Sequence, residues 1–350
     1  MKAIGMAAIL AMACGAAASA QTAVTHTNLQ SVTSTGTSAW VESFPFAIRG
    51  VIVNDPEEML DPAFNPDATS PSTGGQYQLF IQAFAAGDRG GTALYMSQRS
   101  YIGDHYDAAT WASEMQRVMY DGNGRKFRKG DWVEVTARKA LDYSGKRNIN
   151  ESHRTTASND FDVALVKANA GLPQAEAIRL SDLVRADNSQ IFDPSRATGG
   201  EHWQGMRVRL DGLRLTSTNG WGQSAWSNRI CTATDGSNRT FRLRMPRTDL
   251  GAPPSTATVF SATGILNQED SYTNGYELFV QELGPTLSVG TNIVGSLAVS
   301  FSADYEGYVL EASDDGLQNW SAVDVTPAKV IVIEDDSDSP TRAYRLRKVD

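Results

Sequence analysis

Along most of the chain apolar residues recur at every second position, in short runs separated by Gly, Asp, Asn, Ser and Pro. The clearest run is Gly130–Glu151. Val133, Val135 and Ala137 alternate with polar neighbours, the turn cluster Asp142-Tyr143-Ser144-Gly145 follows, and the chain returns through Ile149. That pattern predicts a half-buried antiparallel hairpin. A similar hairpin is predicted at Ala257–Leu283, where Val259, Ala262 and Ile265 lead to Asn274-Gly275 and Leu278, Phe279 and Val280 return. Glu42–Val53, Tyr77–Phe84, Thr92–Gln98 and Phe161–Ala168 read as further strands. Asp55–Gly75 carries prolines at 56, 62, 66 and 71 and reads as an irregular insertion between strands. Only Asp107–Met119 changes period: Trp111, Met115, Val118 and Met119 recur at helical spacing, with Asp107 as N-cap and Gly122 and Gly124 as stops.

Strand, strand, strand, helix, strand, strand is the order of an OB-fold, a five-stranded Greek-key barrel with a helix at one end. The pattern repeats after Gly171-Leu172-Pro173. Ile178–Leu183 reads as a short helical turn, Met206–Leu215 as a strand, and Asn228–Thr234 with Thr240–Met245 as a hairpin around Asp235–Asn238; the Ala257–Leu283 hairpin completes the set. Beyond Gly284-Pro285 only short strands are predicted, at Ser296–Phe301, Gly307–Ala312, Lys329–Glu334 and Ala343–Leu346, a spacing that suits a small β-sandwich. The expected fold is therefore all-β: OB-like barrels at 42–174 and 175–285 and a β-sandwich-like module at 286–350. Tyr77-x-Leu-Phe-Ile-Gln82 matches Tyr276-x-Leu-Phe-Val-Gln281, but the two fall on an early and a late strand, so the match is taken as shared β-propensity rather than a repeat.

The first twenty residues read differently. Lys2, the apolar run Ile4–Ala13 and Ala18-Ser19-Ala20 before Gln21 predict a secretory signal peptide over 1–20, hence a secreted or periplasmic protein. Thr- and Ser-rich residues 21–41 are expected to form a poorly ordered leader. No later stretch is long and apolar enough to span a membrane. Of two cysteines, Cys14 leaves with the signal peptide, so Cys231 has no partner within the chain and is expected to pack as a small apolar group. The formal net charge is −9. It is uneven: residues 21–174 carry 14 basic and 17 acidic residues, 175–285 carry 11 and 12, and 286–350 carry 5 and 11. The two barrels are thus nearly balanced, which leaves room for local basic patches.

Candidate chemistry is sparse. The histidines His26, His105, His153 and His202 lack the spacing of a metal site, and no nucleophile elbow, phosphate loop or zinc signature is present. Glu151 with His153 could do acid–base work, but a solvated loop is the simpler reading. No cofactor and no enzymatic activity are implied. Asp335, Asp336 and Asp338 offer oxygen ligands of the kind calcium takes, or simply a solvated turn. Cations and aromatic rings are more suggestive. Arg125, Lys126, Arg128 and Lys129 precede the first hairpin, Arg138 and Lys139 lie on it, and Lys146 and Arg147 follow its turn; Arg207, Arg209, Arg239, Arg242, Arg244 and Arg247 belong to the second unit. Candidate stacking rings are Trp132, Tyr143, Trp203, Trp221 and Trp226. OB-folds hold extended polyanions or glycans with such stacked rings and flanking cations. The alternative is that the arginines pair with the abundant carboxylates and the rings fold onto the barrels.

Gly130-Asp131 followed by Val133-Glu-Val-Thr136, the Tyr143-Ser-Gly145 turn and Ile149 resembles the OB-fold modules that accompany secreted bacterial nucleases. The second unit is similar in Leu180-Ser-Asp-Leu183, Gly200-Glu201, Gly205-Met-x-Val-Arg-Leu210 and Thr263-Gly264. The last part, with Gly307–Ser313, Asp315, Trp320 and Tyr344–Arg347, resembles short β modules common in exported bacterial proteins. The resemblance spans about 42–285 and implies tandem binding modules without the nuclease domain, none of whose motif residues is present. The expected function is non-catalytic binding of an extended ligand, polysaccharide or single-stranded nucleic acid. The alternative is a structural or protein–protein interaction component of the cell envelope.

Overall fold

The computed structural model describes residues 21–100, 105–150, 161–286, 288–291, 297–300, 308–313, 319–323, 330–333 and 343–348. The predicted signal peptide, Glu151 with His153, and Asp335, Asp336 and Asp338 lie outside these residues. The fold is all-β with OB-like barrels.

The first unit opens with β1 (Thr22–Ala23) and α1 (His26–Leu29). It continues through β2 (Phe46–Ile52), α2 (Pro56–Met59), β3 (Gln76–Gln82), β4 (Gly91–Ser97), α3 (Ala108–Met119), β5 (Trp132–Ala137), β6 (Ala140–Tyr143), β7 (Lys146–Asn150) and β8 (Phe161–Lys167). The sheet order is β6-β7-β4-β3-β2-β5-β8, with β4 and β7 parallel. Only Arg138 and Lys139 separate β5, which pairs with β2, from β6, which pairs with β7. The two are halves of one bent strand, so the chain itself closes the barrel. The β6–β7 turn is tight because Ser144 and Gly145 both take positive φ, +52° and +96°, which matches the twist of the flanking strands. As expected, Asp107 caps α3, its side chain accepting from the Thr110 amide. The helix buries Trp111, Met115, Val118 and Met119 in a core with Phe46, Tyr77, Leu79, Val133 and Val135.

The leader is not poorly ordered. β1 pairs with β2, His26 and Leu29 are fully buried, and the Gln30 side chain hydrogen bonds both the amide and the carbonyl of Arg147. Of its few large groups Leu29 joins the barrel core and Trp40 packs edge-on against Phe46 at 5.1 Å, while Val41 stays exposed.

The second unit comprises β9 (Glu176–Ile178), α4 (Leu180–Leu183), α5 (Gly199–His202), β10 (Arg207–Ser217), β11 (Ile230–Thr234), β12 (Thr240–Arg244), β13 (Phe260–Gln268) and β14 (Tyr276–Pro285). Its order is β11-β12-β14-β13-β10, and β10 pairs back to β11, so hydrogen bonds close a five-stranded barrel. The parallel pair of third and fifth strands, β12 with β14, repeats that of the first barrel. Cys231 is buried in this core, where burial raises its thiol pKa and keeps it protonated. In the C-terminal part β15 (Ser288–Thr291), β16 (Leu297–Ser300) and β19 (Val330–Ile333) form one antiparallel sheet. β17 (Tyr308–Ser313), β18 (Ser321–Ala322) and β20 (Ala343–Lys348) form another.

The barrels meet along an apolar seam of Val53, Met59, Leu60, Phe80, Ala93, Ile265 and Phe279. The repeated Tyr-x-Leu-Phe-x-Gln segments both contribute to it, a role that shared β-propensity does not explain. Tyr77 and Tyr276 point into their own barrels, while Phe80 and Phe279 meet edge to face at 5.7 Å. The glutamines cross: Gln82 accepts from the Arg207 amide at 2.9 Å, and Gln281 donates to the Val53 carbonyl at 2.6 Å. Backbones touch at Gly91 and Gly205, where a Cβ on Gly91 would come within 2.0 Å of the Gly205 carbonyl oxygen. Only glycine fits that crossing.

Candidate ligand-binding groove

In an OB-fold, ligands lie on the face of the second and third strands, between the loop joining strands one and two and the loop joining strands four and five. In the first barrel that face is β3–β4, bounded by the Val53–Gly75 segment and the Tyr143–Lys146 turn. A cleft of about 140 Å³ sits there, lined by Gln76, Gln78, Tyr95, Tyr143, Lys146, Asn148 and Asn150. Trp226 and Glu269 of the second barrel form its far wall. The cleft runs into a second hollow of about 430 Å³, with which it shares Leu60, Ser72, Gln76 and Trp226. That hollow shares Ser224 and Arg247 with a third, of about 440 Å³, floored by Trp221 and residues 245–251. The three make one groove along the seam, with Tyr143, Tyr95, Phe64, Trp226 and Trp221 spaced along it.

Alternation on β3 sets the first wall. Tyr77, Leu79 and Ile81 fill the core, so Gln76 and Gln78 must face the other way. On β7 the same spacing places Asn148 and Asn150 on the cleft and Ile149 in the core. Gln76 donates to the Tyr95 hydroxyl at 2.8 Å. Gln78 and Asn148 are 4% and 6% exposed, and each keeps a buried side-chain oxygen without a partner among the described residues. An orphaned buried acceptor costs about 1–3 kcal/mol, so a donor from water or from a ligand is favoured at this cleft. Trp226 is held rigidly: the Arg244 guanidinium lies 4.0 Å from its ring and Phe279 meets it edge-on at 5.3 Å.

The candidate residues divide. Tyr143, Lys146, Trp221 and Trp226 come together in the groove. Lys146 is not an outward cation: it is 2% exposed, and its ammonium donates to Glu269 at 2.8 Å and Asn267 at 2.9 Å. Arg147 is also buried, pairing with Glu42 and lying over Trp40 at 5.4 Å, because the ordered leader covers it. Arg138 pairs with Asp162, and Lys139 sits over Phe44 at 5.8 Å. Trp132 packs on Phe84 at 5.6 Å and lines none of the three hollows. In the second unit Arg207 lies in the seam, donating to the Pro173 carbonyl, where burial lowers its pKa. Arg209 pairs with Asp211, Arg242 with Asp270, and Arg244 with buried Glu277. Before the first hairpin Arg125 forks onto buried Asp131 at 2.7 and 2.8 Å, and Lys126 and Lys129 pair with Glu57 and Glu58. Most of the basic residues are therefore neutralised in place by carboxylates.

Sequence reasoning did not single out Gln76, Gln78, Tyr95, Asn148 or Asn150. The signal was there: amide side chains two apart on a strand whose intervening residue is apolar put a polar pair on one face.

No family model matches the chain, and no curated relative matches it. A solved structure described as "Structure and Conformational Change of a Replication Protein A Heterotrimer Bound to ssDNA" is similar over 67% of this chain, with 11% identity and a TM-score of 0.25. The match covers 47% of that chain, about half its length. A likeness this loose carries no argument about ligand or function.

Proposed function

We propose that this is an exported, non-catalytic binding protein that holds an extended ligand, a polysaccharide or a single-stranded nucleic acid, in the groove between its two barrels. One observation carries the reading: the β3–β4 face bears a cleft with aromatic walls and two buried, unpartnered amide oxygens. The seam supports an extended rather than a compact ligand, since the groove continues past Trp226 to Trp221. Among the described residues no cluster of three or more His, Cys, Asp or Glu is placed to hold a metal ion. The apolar run and small-residue site at the start of the sequence support export. The test is retention of the whole protein on immobilised neutral polysaccharides and on oligo(dT), with Tyr95→Ala in parallel. Retention on one matrix, lost in the variant, is expected; no retention on any matrix contradicts the reading.

A further inference from the structure

We infer that the ligand of the groove is a neutral polysaccharide whose hydroxyls donate to Gln78 and Asn148, an inference that rests on the binding reading above. The charge of the groove argues first. Among the described residues lining its three hollows, the cations are Lys146, Arg229 and Arg247 and the anions are Asp61, Asp249 and Glu269. The groove is thus formally neutral, and its cations are committed. Lys146 pairs with Glu269, Arg247 pairs with Asp61 at 2.6 Å, and buried Arg229 gives its two terminal nitrogens to the carbonyls of Met245 and Met59, its Nε having no partner among the described residues. A nucleic acid needs lysines and arginines to replace the counterions of its phosphates, and a groove without net positive charge lacks that driving force.

Hydrogen-bond polarity argues second. The unpartnered atoms of Gln78 and Asn148 are acceptors, so they require a donor. A sugar ring presents hydroxyl donors around its whole rim, whereas a nucleic acid offers only acceptors along its phosphodiester and has N–H donors only at its base edges. The aromatic residues complete the match. Tyr95, Tyr143 and Trp226 flank these amides, and the C–H faces of pyranose rings stack on aromatic rings. Trp226 is fixed in advance by Arg244 and Phe279, which lowers the entropy lost on binding.

The test is affinity gel electrophoresis of the whole protein in soluble xylan, mixed-linkage β-glucan, galactomannan and dextran, with fluorescence anisotropy against oligo(dT) and heparin. The expected result is retardation by at least one neutral polysaccharide that does not weaken as salt is raised. Gln78→Met, which keeps the shape and removes the amide, should weaken it about tenfold. Tyr143→Ala, at an exposed ring whose loss leaves folding intact, should weaken it by a similar factor, and Arg209→Ala, remote from the groove, should not. Salt-sensitive binding of oligo(dT) or heparin that is lost in Tyr143→Ala, with no neutral polysaccharide bound, overturns the inference while leaving the groove as a binding site. Binding of none of the probes overturns both. Retardation unchanged in Gln78→Met and Tyr143→Ala overturns the assignment to this cleft.

Discussion

The two barrels share one strand order and differ in what joins their third and fourth strands. In the first, α3 fills that connection and drives Trp111, Met115, Val118 and Met119 into the core, with the Trp111 indole donating to the Pro62 carbonyl at 2.7 Å. In the second, residues 245–259 contain no helix, and a hollow of about 440 Å³ lies over Trp221 there. Their binding faces differ in the same sense. The β3–β4 face of the first barrel bears Gln76, Gln78 and Tyr95, with the Gln78 side-chain oxygen unpartnered among the described residues. On the second barrel the corresponding β11–β12 hairpin carries Arg242 and Arg244, held by Asp270 and Glu277. In the proposed reading the first barrel supplies the recognition surface and the second supplies Trp226 and the wall that extends it, so that one fold used twice makes a single asymmetric groove.

The largest expected effect comes from separating the two barrels. Phe279→Ala removes a fully buried ring from the seam and should cost about 3–5 kcal/mol, read as a lowered denaturation midpoint. If the seam couples the barrels, the wild type should unfold them in one transition by calorimetry and the variant in two; two transitions already in the wild type would show that the seam does not couple them.

The barrels should also answer pH in opposite directions. His26, buried against the first barrel, donates from Nε2 to the Arg49 carbonyl at 3.1 Å and accepts from Thr92 at Nδ1. Burial first, then Arg196, lowers its pKa to about 4, against the pull of Asp88 and the Arg49 carbonyl. A depressed histidine stabilises the fold above the unfolded pKa of 6.5 and loses that contribution as pH falls toward 4, about 3 kcal/mol in all. In the second barrel burial raises Glu201 to about 7, with Tyr276 donating to one carboxyl oxygen at 2.6 Å and the other oxygen unpartnered among the described residues. Its folded-state pKa lies above the unfolded 4.5, so its contribution is complete below 4.5 and is lost as pH rises through 7. Glu201→Gln keeps the acceptor for Tyr276 and should flatten the alkaline side of the Tm–pH curve, leaving the acid side intact. Loss of the acid slope instead would reverse the assignment.

A smaller effect sharpens the contrast between the barrels at their matching turns. Tyr143 and Tyr272 occupy the turns between fourth and fifth strands and are 43% and 42% exposed, but only Tyr143 lines the groove. Tyr143→Ala should weaken binding of a retained ligand by about 1.4 kcal/mol and Tyr272→Ala should leave it unchanged, both with Tm preserved. Equal losses in the two variants would mean that both barrels bind alike.

The strands and the one long helix were legible because period-two and period-3.6 patterns are local. The bend at Arg138-Lys139 and the return pairing of β10 to β11 could not be read, since both depend on partners far along the chain. The groove was legible only in part. Tyr143 and Trp226 were visible as rings in polar turns, whereas Lys146 looked like a surface cation because its partner Glu269 lies on the other barrel. The matching Tyr-x-Leu-Phe-x-Gln segments looked accidental because they sit on the second and fifth strands. Their common role emerges only where Phe80 meets Phe279.

The most direct measurement is an oxidative footprint of the aromatic residues, read by mass spectrometry with and without the retained polysaccharide. Protection of Tyr95, Tyr143 and Trp226, with Tyr272 and Trp132 unchanged, is the expected result. Protection confined to Tyr272 or Trp132, with the groove rings still reactive, would contradict the single site built by two barrels.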